Sequence, residues 1–496
     1  MSLPYHGGTG TFEHFRVTLH DLGYHNNVCL LASYQNVNVT RQSLVRALEY
    51  AIHQHPALNA QVSSSEAAKP YFVRLSSIDL DEVIEYVDVP GTPDERSAWI
   101  DGFLSAQHSL GFHDKRKPLW RVVVLQHGDK ELRGHDTSMQ AVDIAFVWHH
   151  VIGDGKSGLA VHTSILQGLA TPFCSSPDSS LSHYSEASKT DGKVPPTTTI
   201  KPQASELYPS LEQIFAMPAS RSTKFKKWLS RYFGSCLPLQ PKSQEDLDAK
   251  KWSGAPYHDE SPIKTFIRHI IIPTASTNTL VKLCHEKKTS ITAFLQALIG
   301  RTISRNYNHM FRLRCATAIS MRRFMKPDLH ISEQEMGLWV SAFHFELEAR
   351  DLSATDQDKE RFWQLSRKNR KRIANEIKKG DRDLGIGGLR SIPDFRENLK
   401  GKMGRKREDS FAVTNLGVWD GSLSSDGSSG EGARIGRMVF SQSCHVNGSA
   451  LQFCIMSVRG GEMVIGVSWQ EGTVPVKDTE CIASALKAEL MRLAEE

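Results

Sequence analysis

The chain has 496 residues, of which 40% are hydrophobic and 23% charged, with 60 Lys and Arg against 55 Asp and Glu for a formal net charge of +5. This composition fits a folded globular protein of about two to three domains and excludes a disordered or fibrous one. The charge is too small to argue for nucleic-acid binding, yet it is compatible with a phosphorylated small-molecule ligand. The 8 cysteines form no CxxC pair and no Cys/His cluster at zinc spacing. They read as unpaired thiols of a reducing compartment, and no metal is expected. The first residues lack the apolar core of a signal peptide, and no apolar run is long enough to span a bilayer, so the expected location is cytoplasmic.

In chain order, Val28–Tyr34 reads as a strand, and Thr40 opens an amphipathic helix that His55-Pro56 breaks. Strand patterns follow at 71–75 and 118–125, and Ile144–His150 pairs naturally with the second of these. A helix then runs to about residue 168. Ser, Thr, Pro and Asp dominate from Pro172 to Ser205, which marks a linker or loop. Residues 221–233 read as a basic amphipathic helix, suited either to packing on the protein or to peripheral contact with an anionic membrane. A second α/β section starts near Thr265, with strands at 266–272 and 314–320 and helices at 274–287 and 293–299. A long polar helix follows at 356–379, then strands at 411–414, 448–458 and 463–469 and a closing helix at 479–493. Ser422–Gly432 is a Ser/Gly-rich excursion. The expected division is 1–170, a connecting region 171–262, and 263–496.

The stretch that carries chemistry is His149-His150-Val151-Ile152-Gly153-Asp154-Gly155. It joins the strand ending at Trp148 to the helix opening at Ser157. Such a strand–turn–helix junction presents an imidazole at a cleft, where it can take a proton from a hydroxyl, amine or thiol. His150 is the candidate base. Side chains alternate along a strand, so His149 faces the other way and reads as structural. Asp154 invites comparison with the carboxylate that orients a catalytic histidine. Gly153 and Gly155 permit tight backbone geometry.

The HHxxxDG pattern resembles the signature of the CoA-dependent acyltransferase superfamily, which holds chloramphenicol acetyltransferases, plant BAHD enzymes, condensation domains and fungal alcohol acetyltransferases. Thr11–Phe15, Leu22–Val28, Pro118–Val122, Ser290–Leu295, Ser320–Phe324 and Thr414–Gly417 resemble further landmarks of the fungal alcohol acetyltransferases, in the same order. The DFGWG signature of plant members is absent.

The resemblance implies an α/β fold of two chloramphenicol-acetyltransferase-like lobes, each a mixed sheet with flanking helices, around an active-site tunnel at their interface. It implies direct acetyl transfer from acetyl-CoA, as co-substrate, to a small-molecule alcohol such as a terpenoid or polyketide hydroxyl. A monomer is expected, though the sequence does not encode the oligomeric state legibly. The resemblance also implies that Asp154 turns away from His150 and pairs with an arginine, matched here to Arg322 with Arg323 in reserve.

Thr414 and Asn415 are the candidate oxyanion donors, against a turn-capping role for Asn415. Ser443 is a weaker oxyanion candidate and also a candidate cofactor-binding residue. Arg370 and Lys371, within Arg367–Arg372, Lys378-Lys379 and the 400–407 loop are candidates for the CoA phosphates, against the alternative of a solvated basic face. Trp120, Trp148, Phe343 and Trp419 are either acceptor-tunnel or core residues. Two rival functions share the fold: a condensation-type enzyme fed by a carrier-bound acyl group, and a non-catalytic binding scaffold.

Overall fold

The computed structural model describes residues 3–65, 68–90, 92–127, 142–171, 198–203, 205–218, 251–259, 263–307, 311–352, 359–420 and 432–496. The proposed basic helix at 221–233, most of the 172–205 linker and the Ser/Gly-rich excursion fall outside these residues.

The first half contains strand β1 (Leu3–Gly8), helix α1 (Thr11–Asp21), β2 (Val28–Gln35), α2 (Arg41–Gln54), β3 (Ala60–Ser65), β4 (Ala68–Arg74), β5 (Ile78–Asp79), β6 (Ile84–Val89), α3 (Pro93–Ser109), β7 (Trp120–His127), β8 (Val142–Trp148) and α4 (Gly155–Ala170). After β9 (Thr199–Ile200) and the short α5 (Leu211–Ile214), the second half runs β10 (Thr265–Ile272), α6 (Thr274–Glu286), α7 (Ile291–Asn306), β11 (Leu313–Ser320), β12 (Val340–Leu347), α8 (Ala349–Leu352), α9 (Lys359–Lys378) and α10 (Phe395–Lys400). It closes with β13 (Phe411–Trp419), β14 (Arg434–Gln442), β15 (Leu451–Val458), β16 (Met463–Gln470) and α11 (Val476–Glu495).

Two mixed sheets organise the chain. One has the order β14-β2-β8-β7-β6, the other β10-β16-β15-β13-β11-β12. β8 is the central strand of the first. Its Ile144-Ala145-Phe146-Val147-Trp148 run is entirely buried, because helices and the second lobe cover both faces. α2 and α4 pack together against this sheet. A Cβ on Gly168 would sit 2.7 Å from Ala47 Cα, so glycine is what lets the helices approach. In the second sheet, β16 is buried along its whole length beneath α11 and its neighbours. The segment expected at 71–75 pairs instead with β1 and β3 in a separate 3-stranded sheet.

β14 lies in the second half of the sequence but pairs antiparallel with β2, from Arg434↔Gln35 to Gln442↔Val28. The connection is a strand exchange between lobes, and it crosses the expected division at residue 263. α1 is pinned at its N-terminus by two carboxylates: Gly10 N–H donates to Glu13 Oε2 at 2.6 Å and Phe12 N–H to Glu212 Oε1 at 2.7 Å. Acidic partners suit the positive end of the helix. Burial raises the Glu13 carboxyl to about 7. This anchoring fixes the face of α1 that meets the interface between the lobes.

Candidate active site

A cavity of about 360 Å³ opens between the lobes. His150, Asp154 and Gly155 line it from the first lobe together with Phe12, Phe15 and Arg16 of α1. The second half contributes Ala316, Ala318, His344, Asp409, Thr414, His445 and Gln452, among others.

β8 ends at Trp148, and His149–Ile152 form a turn rather than extending the strand as expected. Ile152 N–H bonds back to the His149 carbonyl at 3.2 Å, which closes that turn. His149 faces away from the cavity. Its Nδ1 accepts from Val151 N–H at 2.9 Å, and its ring lies 4.4 Å from that of His20. His150 faces the cavity, and its Nδ1 donates to the Gly153 carbonyl at 3.0 Å. Because a carbonyl only accepts, this bond places the ring proton on Nδ1 and leaves Nε2 as the basic nitrogen. Burial, then the charge of Arg16, hold the His150 pKa well below the ordinary histidine value. His150 is therefore neutral and able to accept a proton at pH 7.

Asp154 does not reach His150. Its carboxylate takes Arg322 Nη1 at 2.6 Å and Trp339 N–H at 3.1 Å through Oδ2. Oδ1 caps α4 at Ser157 N–H, 3.2 Å away. The pair is almost fully buried, and the Arg322 guanidinium also stacks 4.9 Å from the Trp339 ring. Asp154 thus bolts the turn to the second half of the chain, a positioning role. Arg323 is not in this pair. Gly155 stands where the lobes touch: a Cβ there would fall 2.7 Å from Leu416 Cδ2 and 2.9 Å from Phe440 Cζ.

The remaining candidates separate. Thr414 lines the cavity, and its hydroxyl has no hydrogen-bond partner among the described residues. Asn415 is committed elsewhere, with Nδ2 donating to Thr292 Oγ1 at 2.9 Å and Oδ1 accepting from Gly417 N–H at 2.8 Å. Gly417 has φ +88° and the β13–β15 register shifts between Asn415 and Val418, so Asn415 braces an irregularity within β13 that favours glycine, rather than capping a turn.

Ser443 is not brought to the cavity wall. Its buried hydroxyl accepts from Asn26 N–H at 2.9 Å and Asn27 N–H at 3.1 Å. Arg370 and Lys371 lie on the exposed face of α9, where Arg370 Nη1 donates to the Lys288 carbonyl at 2.9 Å; neither lines the cavity. Within the 400–407 loop, Arg407 is wholly buried. It donates to the Val446 carbonyl at 2.7 Å and to Gln470 Oε1 and Thr473 Oγ1 at 3.0 Å, a structural knot rather than a phosphate contact. None of the four tunnel aromatics lines the cavity: Trp120 and Trp148 are core, Phe343 stacks on Phe345, and Trp419 packs against the first-lobe core.

The structure adds groups that the sequence reading did not single out. The His445 ring stacks on His25 at 3.9 Å, and His25 lies 5.5 Å from His150. Arg16 Nη1 donates to His445 Nε2 at 3.2 Å, across 429 residues of sequence. The signal for Arg16 was present: Phe12, Phe15, Arg16 and Leu19 form one helical stripe, and a charge in an apolar stripe is anomalous.

A family model described as alcohol acetyltransferase matches residues 8–493. The chain belongs to the alcohol acetyltransferase family. It is 25% identical over 483 residues to "Probable alcohol acetyltransferase crmB" of Aspergillus fumigatus, covering 94% of this chain and 95% of that protein. It is 23% identical over 447 residues to "Probable alcohol acetyltransferase FCK4" of Fusarium pseudograminearum, covering 89% and 84%. Among solved structures, TRI3 trichothecene 15-O-acetyltransferase of Fusarium sporotrichioides superposes with a TM-score of 0.64 at 11% identity, over 98% of this chain and 94% of that one. The first condensation domain of the calcium-dependent antibiotic synthetase gives 0.56 at 11% identity, over 99% and 96%. These likenesses show the two-lobed chloramphenicol-acetyltransferase-like fold. The acyltransferase has no helix among the described residues long and apolar enough to cross a membrane.

Proposed function

We propose that the protein transfers an acetyl group from acetyl-CoA to the hydroxyl of a small-molecule alcohol, with His150 as general base and both substrates bound together. The observation that carries this reading is the His150 Nδ1 bond to the Gly153 carbonyl, which leaves Nε2 free in a cavity between the lobes. Nε2 takes the hydroxyl proton as the oxygen attacks the thioester carbonyl. The C–S bond then breaks, and the leaving thiolate takes the proton back from the imidazolium. General-base catalysis of this kind contributes about 10²–10⁴-fold.

As negative charge grows on the carbonyl oxygen, the Thr414 hydroxyl, which lines the same cavity without a hydrogen-bond partner among the described residues, donates to it. A cavity of about 360 Å³ suits the reacting ends of two substrates and leaves the nucleotide end of CoA outside. Arg370 and Lys371, exposed on α9, take no part in the reacting geometry.

The test is thiol release from acetyl-CoA with a panel of alcohols and amines. His150→Ala should lower kcat by about 10²–10⁴-fold while its melting temperature stays near that of the wild type. A variant that keeps wild-type rates removes His150 from the role of base. Release with amines alone favours a different acceptor chemistry.

A further inference from the structure

Three acidic or basic side chains line the cavity, apart from histidine: Arg16, Asp154 and Asp409. Two of them are neutralised. Asp154 pairs with Arg322 at 2.6 Å, and Asp409 lies 3.4 Å from Arg314 Nε and 3.0 Å from His344 Nδ1. Arg16 is not. No carboxylate pairs with it among the described residues, and its Nε is buried without a hydrogen-bond partner. Its contacts are the neutral His445 ring through Nη1 and the Phe12 face, 4.9 Å from the guanidinium carbon. Glu13, one turn earlier on the same helix, is turned back to Gly10 N–H and is not an ion-pair partner.

Arg16 is half-buried, and a guanidinium that gives up part of its hydration without a counter-charge carries a cost that is offset when an anion arrives. The planar fork of arginine matches a carboxylate or a phosphate, and in a cavity that holds the reacting ends of the two substrates rather than the nucleotide of CoA the carboxylate is the anion expected. A cation near His150 also disfavours the imidazolium that forms when the base takes its proton, a second cost that a bound anion would offset.

We propose that Arg16 reads a carboxylate carried by one of the two substrates. The cavity then prefers a hydroxy-acid acceptor, or a dicarboxylic acyl group, over the uncharged counterpart. The inference rests on the acyl-transfer reading above and deepens it by naming the substrate class.

The experiment compares wild type, Arg16→Gln and Arg16→Lys in two arms. In the first, acetyl-CoA is offered with 3-hydroxyoctanoate or 3-(hydroxymethyl)benzoate, each beside its methyl ester. In the second, malonyl-CoA and acetyl-CoA are compared with 1-octanol. Wild type should favour the charged member of a pair in kcat/KM. Arg16→Gln should cut that preference by about 10- to 100-fold, the range of a charge-assisted hydrogen bond, with Arg16→Lys intermediate. A loss in the first arm assigns the carboxylate to the acceptor, and a loss in the second assigns it to the acyl group. No charged-over-neutral preference in wild type, or an equal drop for both members of every pair, overturns the proposal.

Calorimetric titration of the same pairs keeps this test separate from catalysis. If no pair releases thiol, the acyl-transfer reading fails, and the acid-to-ester ratio of Kd in wild type and Arg16→Gln still decides the role of Arg16. A thermal melt screens each variant for folding. If Arg16→Gln does not fold, the ratio is read on Arg16→Lys, where an unchanged preference also overturns the proposal.

Discussion

Trp148 and His150 donate to the same oxygen: the Gly153 carbonyl accepts Trp148 Nε1 at 2.9 Å and His150 Nδ1 at 3.0 Å. Trp148 closes β8 and His150 lies in the turn that follows, and the turn brings the Gly153 carbonyl back to both donors. Gly158 makes room for the indole, since a Cβ there would meet Trp148 Cη2 at 2.5 Å. Trp148 is therefore core and, through one carbonyl, a positioning residue for the base. Trp148→Phe should lower kcat by up to about tenfold, the worth of one neutral hydrogen bond, with little change in KM. It should also lower the melting temperature. Unchanged kcat in a destabilised variant would confine Trp148 to packing.

The Asp154–Arg322 pair should behave as a structural clamp. Its side chains are 4% and 1% exposed, and removing either partner strands a buried charge. Asp154→Leu and Arg322→Met are each expected to cost about 3–5 kcal/mol by denaturant unfolding. The double variant should recover part of that loss, though Trp339 N–H and Ser157 N–H lose their acceptor. If the two losses simply add, the partners are not coupled.

Thr414 and Asn415 are neighbours with different expected phenotypes. Thr414→Val should reduce kcat on the order of 100-fold with KM little changed, as for a lost oxyanion donor. Asn415→Ala should act mainly on the melting temperature, because it breaks the bonds to Thr292 and Gly417 N–H. Kinetics and melts on both variants distinguish the roles, and the reverse pattern would exchange them.

The His150 pKa lies well below 6.5 through burial and the Arg16 charge. His25 and His445, which face it, are likewise depressed and stay neutral. The acid limb of kcat/KM should thus fall below pH 6.5, and Arg16→Gln should move it upward, since losing a nearby cation eases protonation. Stability has its own acid dependence. Burial lowers His55 and His162 to about 4 and His108 to about 3. The unfolded chain takes these protons first, so their contribution is intact above about pH 6.5 and declines toward those values, by about 1.4 kcal/mol per pKa unit. Urea midpoints from about pH 4 to 8 measure the decline, and initial rates after a pH jump keep it out of the activity profile.

What could be read from the sequence follows contiguity. The β8 run, the turn and the first turn of α4 are adjacent in the chain, so their periodicities and glycines announce the junction. β14 was harder to read: Gly436 interrupts a strand whose partner β2 lies some 400 residues earlier, and its apolar pattern says nothing about which sheet it joins. Arg16 and His445 were illegible as a pair for the same reason. Their meeting depends on the angle at which α1 lies across the interface, fixed in part by Glu212 from the connecting region. Arg407 misleads in the opposite direction. It sits in a basic run that looks solvated, yet it is enclosed by carbonyls that only the folded chain assembles.

Because Phe440 pairs with Leu30 and Gln442 with Val28, the lobe that carries His150 is unfinished until the ribosome has delivered residue 442. Until then the β2 edge stands bare, a template for intermolecular strand addition. A polypeptide severed anywhere between α4 and β14 would yield two halves that must find each other to mature, and neither would behave as an autonomous module.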